Sequence, residues 1–321
     1  MSAGTTPGAG RKDAEGSSAT WARADRIGLA LSWAAGIFLC VVAASIVIYM
    51  AIRGIQFLRP QLLFQSPEAD LNQAQSGGFL DPLVGTFLLT VMATVIAAPL
   101  GVATAIWLTE YGRPAWLARP VESGVEVIAG TPSIVLAIFG LLIFQQGLFG
   151  IFSITGGDGE VLGRSFFAAA AMMSFIALPL VVGATREALQ AVPNHVREAS
   201  YALGKTKAAT IRRVLLPAIR PGIGTGAALG MGRIAGDTAI VVILLGATLK
   251  FQPKESLPLL GTLQGTGSTL TSYVYGNSPA GEGDAPEKAY AAAFMLLLVV
   301  IGLNYTVDRL SRGRKGLSWS V

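Results

Sequence analysis

The sequence predicts an all-α, polytopic membrane protein with six transmembrane helices. Hydrophobic residues make up 52% of the 321 residues and charged residues only 13%, about half of the charged share in a soluble domain. The chain also contains six apolar runs, each near the roughly 20 residues that a helix needs to cross a bilayer. These runs are Ile27–Ile52, Leu83–Leu108, Gly124–Phe149, Ser165–Ala184, Ala218–Leu249 and Ala289–Val307.

The segments before and after these runs are polar. Residues 1–20 are rich in Gly, Ala, Ser and Thr and have no apolar periodicity, which predicts a disordered tail. The run that begins at Ile27 is too long for the apolar region of a signal peptide. We therefore expect an N-terminal tail over 1–24, a six-helix transmembrane domain over 25–310 and a C-terminal tail over 311–321.

The basic residues predict the orientation of the chain. Six crossings place both termini and the loops 109–123 and 185–217 on one side, and seventeen of the 24 Lys and Arg residues lie on this side when Arg220, just after the second loop, is included. Since Lys and Arg concentrate in cytoplasmic loops, both termini are predicted to be cytoplasmic. The net charge of +5 is then a topology signal, and no nucleic-acid partner is expected. The outer loops, 53–82 and 250–288, are either solvated connections or a docking face for an external protein.

The third apolar run contains a helix-breaking segment. It is interrupted at Gly130-Thr131-Pro132, where Thr131 as the N-cap and Pro132 as the first helical residue predict a restarted helix. A helix that begins inside the membrane directs free N–H groups and a positive dipole end at the break, and transporters bind anions at such ends. Thr131 and Ser133 are therefore candidate anion contacts. The alternative is a proline kink satisfied by neighbouring helices.

The fifth run carries an intramembrane charge pair on a glycine stripe. If the run is one helix, then Gly222, Gly226, Gly230, Arg233 and Asp237 share a face. Glycines at this spacing let another helix approach closely. The planar fork of Arg233 suits phosphate oxygens, and Asp237 is the nearest partner to hold the arginine between cycles. The alternative is a structural ion pair.

The residue inventory disfavours catalysis by this chain. A single Cys and a single His exclude the usual metal sites and make a Ser-His-Asp arrangement improbable. Gly204-Lys205-Thr206 resembles the end of a phosphate-binding loop, but the required first glycine is absent because Ala199 stands there. No catalytic residue, metal site or cofactor is predicted for this chain itself.

The loop 193–217 predicts two short helices joined by a glycine. Pro193 opens the first helix, Gly204 suits the left-handed position that ends it, and Thr206 can cap the second. Two such helices form a compact knob with a small-residue surface, which can dock into a groove of another protein. The alternative is an amphipathic helix that lies on the membrane surface.

This loop resembles the EAA loop of the permeases of ABC importers. The pattern is Glu198-Ala199-Ser200, three residues, Gly204, nine residues, and then Val214-Leu215-Leu216-Pro217. Ser200 replaces the second Ala of the family pattern and Val214 replaces Ile. The resemblance implies a MetI-like permease core and a coupling helix that contacts a separate ATPase subunit, with ATP and Mg²⁺ bound by that partner. The residues implied for this contact are Glu198, Ala199, Ser200, Gly204 and Pro217.

Three further segments resemble the permeases of the high-affinity phosphate importer, and most closely its PstA-type subunit. They are Gly85–Tyr111, Gly130–Gly140 and Gly232–Leu249. The resemblance implies a bacterial cell-membrane protein that pairs with a PstC-type permease or with itself. It also implies two cytoplasmic ATPase subunits, an extracytoplasmic phosphate-binding protein and contact of Arg233 with phosphate. Asp237 stands where Glu is more frequent in that family.

Other functions stay open at this point. A permease of the same architecture for another oxyanion or small solute fits the same residues. A membrane-embedded enzyme would need a cluster of catalytic residues, and a passive channel would give the loop 193–217 no purpose.

Overall fold

The computed structural model describes residues 23–67, 77–153, 161–246, 258–278 and 285–311, and within these ranges the secondary structure is helical, without β-strands. The predicted tails fall almost entirely outside the described residues, so their disorder stays a prediction. The helices are α1 (Arg23–Phe57), α2 (Pro60–Phe64), α3 (Leu80–Ile106), α4 (Ala115–Gly130), α5 (Ser133–Phe144), α6 (Phe166–Gln190), α7 (Asn194–Ala202), α8 (Lys207–Thr210), α9 (Leu216–Ala218), α10 (Arg220–Ala235), α11 (Pro258–Gln264), α12 (Leu270–Asn277) and α13 (Pro286–Ser311).

Helical turns of other pitch continue or join several of these helices. A 3₁₀ turn, Gly147–Phe152, follows α5. Three segments have the wider π-helical pitch, and they are Trp107–Tyr111, Ile211–Leu215 and Val241–Leu245. The second lies within the loop 193–217 that the sequence singles out, and π-helical turns are frequent at functional sites.

The chain forms two units. The first ends at Ile52, and its described part is the exposed apolar helix of residues 25–52. The second unit begins at Arg53 and contains the core. Small side chains dominate that core, and the fully buried residues Ala93, Ala97, Ala169 and Ala170 let α3 and α6 pack closely. Small residues at helix contacts are typical of membrane bundles, because van der Waals packing there depends on close approach.

Four helices are long and apolar enough to cross a membrane, and two further helix pairs pass the same test together but are bent. The bent pairs are Ala115–Gly130 with Ser133–Phe144, at 110°, and Lys207–Ala218 with Arg220–Ala235, at 67°. Counting each bent pair as one span gives up to six among the described residues. The upper number equals the six predicted runs, although the second bent pair begins at Lys207, within the loop that precedes the fifth run at Ala218.

The fifth run is not the single helix that the sequence predicts. Helix α10 ends at Ala235, and helical structure resumes only at residues 239–245. At 1.5 Å per residue the sixteen residues of α10 rise about 24 Å, short of the roughly 30 Å hydrocarbon layer. The crossing therefore requires the segment beyond the break at residues 236–238.

Candidate functional site

The glycine stripe of α10 forms a close contact with α6, as the sequence predicts. A Cβ atom at Gly226 would lie 3.0 Å from the Cα of Val181, and one at Gly230 would lie 3.2 Å from the Cβ of Ala177. At Gly222 a Cβ atom would overlap with the Cβ of Ala188. These glycines are required because any side chain would separate the two helices.

Arg233 does not lie on this packed stripe, which corrects the predicted common face. The next buried position after Gly230 is Ile234, at 2% exposure, and Arg233 is exposed one residue earlier. The exposed face of α10 therefore runs through Thr225, Leu229 and Arg233. Arg233 faces away from the core of its own chain.

Asp237 is not the ionic partner of Arg233 in this structure. The carboxylate of Asp237 is 6% exposed, and its Oδ1 accepts a hydrogen bond of 2.9 Å from the backbone N–H of Ile240. Asp237 thus caps the helical segment that resumes after the break, as aspartate does at many helix N-termini. Within the described part of the chain, the ion pairs are formed by other residues. The two members of the predicted pair are separated because the helix ends between them.

A buried hydroxyl cluster holds this break. The hydroxyl of Thr271 lies 3.4 Å from the carbonyl oxygen of Asp237 and 2.7 Å from the hydroxyl of Thr269. The backbone N–H of Leu270 donates to the hydroxyl of Thr86 on α3 at 2.8 Å. The start of α12 therefore connects the break to the N-terminal part of α3.

The capping predicted at the break of the third run is wrong in detail. Thr131 is the C-cap of α4, and its hydroxyl donates to the carbonyl oxygen of Val127 at 2.7 Å. Pro132 is the N-cap of α5, without a side-chain hydrogen bond, and Ser133 is the first helical residue. The restart of a helix at Ser133 agrees with the prediction, while Thr131 belongs to the preceding helix. An anion contact of Thr131 or Ser133 stays a prediction.

The loop 193–217 folds into the predicted helical hairpin. Helix α7 ends before Gly204, whose φ of +73° is the left-handed conformation that glycine adopts without strain. The hydroxyl of Thr206 caps α8 by accepting from the N–H of Ala209 at 3.3 Å. Glu198 and Ala199 are exposed on α7, as is Pro217 after the second arm. We call residues 194–210 the coupling hairpin.

Ser200 differs from the exposed residues beside it. Its side chain is buried at 5% exposure, and its hydroxyl lies 2.8 Å from the hydroxyl of Thr210 at the end of α8. The pair fixes the two arms of the hairpin against each other. Ser200 therefore stabilises the hairpin from inside, whereas the resemblance implied that it contacts the partner.

A buried charged contact ties the hairpin to the membrane helices, and sequence analysis missed it. The guanidinium of Arg197 donates to Glu110 Oε1 at 3.1 Å from Nε and 3.0 Å from Nη2. The same group donates to the carbonyl oxygens of Val192 at 2.7 Å and Leu189 at 2.8 Å, just past the end of α6 and in its last turn. Its partner Glu110 is 87 residues away in the chain, so no local pattern indicated the contact.

Lys207 makes a second connection to the same place. Its ammonium group donates to the backbone carbonyl of Glu110 and lies 4.8 Å from the centre of the Tyr111 ring. Both arms of the coupling hairpin therefore reach the π-helical turn Trp107–Tyr111. The available signal in the sequence is Glu110 beside Tyr111, shortly after the second apolar run.

These features define a class of protein: a multi-pass helical membrane protein with broken spans and a bonded helical hairpin, features that are found in transport subunits. The described residues contain no group of three or more His, Cys, Asp or Glu side chains that could hold a metal ion.

The family profile described as "Binding-protein-dependent transport system inner membrane component" matches residues 97–315, more than half of the chain. The chain therefore belongs to this family.

Individual relatives agree with this assignment. The "Phosphate transport system permease protein PstA 1" of Mycobacterium tuberculosis is 35% identical over 229 residues, which cover 71% of this chain and 69% of that protein. The "Phosphate transport system permease protein PstC" of Xylella fastidiosa is 28% identical over 305 residues, which cover 91% of this chain and 90% of that protein.

A solved structure has a similar fold. In the crystal structure of a bacterial alginate ABC transporter bound to a periplasmic protein with an alginate pentasaccharide, one chain superimposes with a TM-score of 0.60 at 15% identity. The match covers 90% of this chain and 95% of that chain. This likeness supports the permease fold, and the chain is a multi-pass membrane component of an ABC-type transport system.

Proposed function

We propose that this chain is the permease subunit of an ATP-driven importer of inorganic phosphate and forms part of the path across the membrane. The observation that carries the proposal is an exposed arginine within a membrane span, Arg233, three residues before a break in its helix. The named relatives are phosphate permeases, which supports phosphate over other anions.

The exposure of Arg233 supports a water-filled path. An arginine at the centre of a membrane costs about 2.5–3.5 kcal/mol on insertion scales. Within the described residues Arg233 has no ion-pair partner to offset this cost. The exposed face of α10 with Arg233 must then meet a cavity or a second permease rather than lipid. An oxyanion in that cavity is the natural partner, because a guanidinium donates to two phosphate oxygens at once.

The subunits that such an importer needs follow from the same reading. Glu198, Ala199, Gly204 and Pro217 would contact an ATPase subunit, and two such subunits would bind ATP and Mg²⁺ on the cytoplasmic side. All four residues are exposed and therefore accessible to a partner. A second permease, of PstC type or a copy of this chain, would complete the path, and an extracytoplasmic phosphate-binding protein would deliver the substrate. Both termini would be cytoplasmic in the bacterial inner membrane.

Replacing the arginine tests the proposal. We expect Arg233→Gln to abolish uptake of radiolabelled phosphate in cells that lack the chromosomal copy, while the subunits still copurify. The matched control is Arg220→Gln, an exposed arginine at the start of the same helix, which should keep normal uptake. Wild-type uptake by Arg233→Gln would remove this residue from the path.

Competition in the same assay separates phosphate from other oxyanions. Unlabelled phosphate should suppress uptake and sulfate should not. Equal suppression by both would favour the alternative, a permease of the same architecture for another oxyanion.

A further inference from the structure

We propose that Glu110, Arg197 and Lys207 form a positioning unit that transmits movement of the coupling hairpin to α3, and thereby to the transport path. The inference rests on the proposed function, because it assumes that an ATPase subunit moves the hairpin. The inference goes beyond that function by naming residues that contact neither the substrate nor the ATPase. These residues determine how much phosphate is transported for each ATP hydrolysed.

The first argument is that one guanidinium joins three segments. Arg197 belongs to α7, and its donors reach Glu110 beyond α3 and two carbonyl oxygens at the end of α6. A planar group with all three nitrogens engaged holds a fixed orientation, which a single-point contact would not. The first arm of the hairpin therefore cannot shift without displacing Glu110 or breaking several hydrogen bonds together.

The second argument is that the other arm reaches the same two residues. Lys207 at the start of α8 binds the Glu110 carbonyl and covers the Tyr111 ring. Because Ser200 and Thr210 also join the arms internally, the hairpin and the end of α3 form one connected body.

The third argument is burial. The side chains of Arg197 and Glu110 are 15% and 7% exposed, so water does not readily replace either partner. The chain has a second arginine–glutamate pair, Arg186 with Glu122, whose side chains are 39% and 41% exposed. That pair joins α6 to α4 outside the hairpin, which makes it a control of the same chemistry.

The fourth argument is where the movement would arrive. The π-helical turn Trp107–Tyr111 continues α3, and π-helical turns within α-helices are rare and frequently lie at functional sites. Helix α3 packs against α6 in the buried core, and α6 carries the surface that receives the α10 glycines. The unit is therefore connected through packed helices to the element that bears Arg233, as transmission between distant sites requires.

The test uses the complete complex in proteoliposomes, with both permeases, the ATPase subunits and the binding protein, and measures phosphate transported per ATP hydrolysed. We expect Glu110→Gln to lower this ratio at least tenfold while ATP hydrolysis and copurification of the ATPase subunit persist. Glu122→Gln should leave the ratio within twofold of wild type.

Two results would overturn the proposal. One is an unchanged ratio in Glu110→Gln. The other is a parallel loss of assembly, hydrolysis and transport in which the ratio of the remaining activity is normal, since that describes a purely structural contact. If Glu110→Gln fails to assemble, Lys207→Met on the exposed arm gives the same measurement, with an expected drop of about threefold, and an unchanged ratio there also refutes the proposal. A wild-type complex that moves no phosphate would instead contradict the proposed function.

Discussion

A serine in the coupling hairpin illustrates how one residue changes role once its surroundings are known. In the sequence, Ser200 is a small substitution inside a docking motif. In the structure its buried hydroxyl pairs with that of Thr210 at 2.8 Å, while Glu198 and Ala199 remain exposed for a partner. Ser200 therefore belongs to the interior of the hairpin, although the motif groups it with the exposed residues Glu198 and Ala199.

Removing this hydroxyl should cost stability only while its partner remains. We expect Ser200→Ala to lower the unfolding free energy by about 1 kcal/mol, because a net hydrogen bond is worth about that much. The double variant Ser200→Ala with Thr210→Val should recover most of this loss, since removing both polar groups leaves neither unsatisfied. Thermal unfolding of the purified complex measures both, and equal destabilisation of the two variants would contradict a pairwise contact.

Two arginines show the opposite limits of residue-level inference. Arg233 is a candidate from the sequence because a charge in an apolar run is rare. In the structure Arg233 is exposed and does not contact its predicted partner Asp237. Arg197 was one of many basic loop residues, yet it is the most extensively bonded charged group of the coupling hairpin. The sequence reveals a charged residue inside an apolar run, whereas the role of a charged residue in a polar loop is visible only from its contacts in the structure.

At the scale of elements, the contact between α6 and α10 depends on the absence of side chains. The glycines of α10 face Ala177, Val181 and Ala188 on α6. Helix period alone predicted that these glycines share a face, and the structure identifies the helix that they meet. This contact holds the Arg233-bearing helix at a fixed distance from the core.

Adding one methyl group at this contact should force the helices apart. We expect Gly222→Ala to destabilise the protein by about 1–3 kcal/mol, as overpacking does, because the new Cβ would overlap with the Cβ of Ala188. The matched control is Gly183→Ala on α6, where nothing lies within 4 Å and the higher helix propensity of alanine should stabilise slightly. Thermal unfolding in detergent compares them, and a Gly222→Ala variant as stable as the control would refute the close contact.

Helix breaks are the elements that sequence analysis described least well. It located the break between α4 and α5 from Pro132 but assigned Thr131 to the wrong helix. It missed the break after Ala235 because Gly236-Asp237-Thr238 contains no proline and sits inside an apolar run. The tertiary contacts of Asp237 and Thr271 stabilise that break, and such long-range contacts have no local pattern.

At the scale of the whole molecule, the six-span topology makes a prediction about access. In a Cys40→Ala background, which removes the only cysteine of the chain, we expect Leu203→Cys to react with a membrane-impermeant maleimide only in inside-out vesicles. Leu203 is 78% exposed at the tip of the coupling hairpin. Leu162→Cys, at an exposed site before α6, should react only in intact spheroplasts.

The reverse pattern of labelling would contradict the predicted orientation. It would also place the coupling hairpin on the side without ATP. The unsubstituted Cys40→Ala protein supplies the background signal in both preparations.

The sequence by itself determined the membrane class, the six apolar runs, the glycine stripe and the two-helix hairpin. Each follows from local chemistry, because hydrophobic length, helix period and turn-forming residues act within about thirty positions of the chain. Only the tertiary structure decided the separation of Arg233 from Asp237, the internal role of Ser200 and the contact of Arg197 with Glu110. These features depend on groups that are distant in sequence and meet only after the helices have packed. A local sequence pattern therefore does not indicate them.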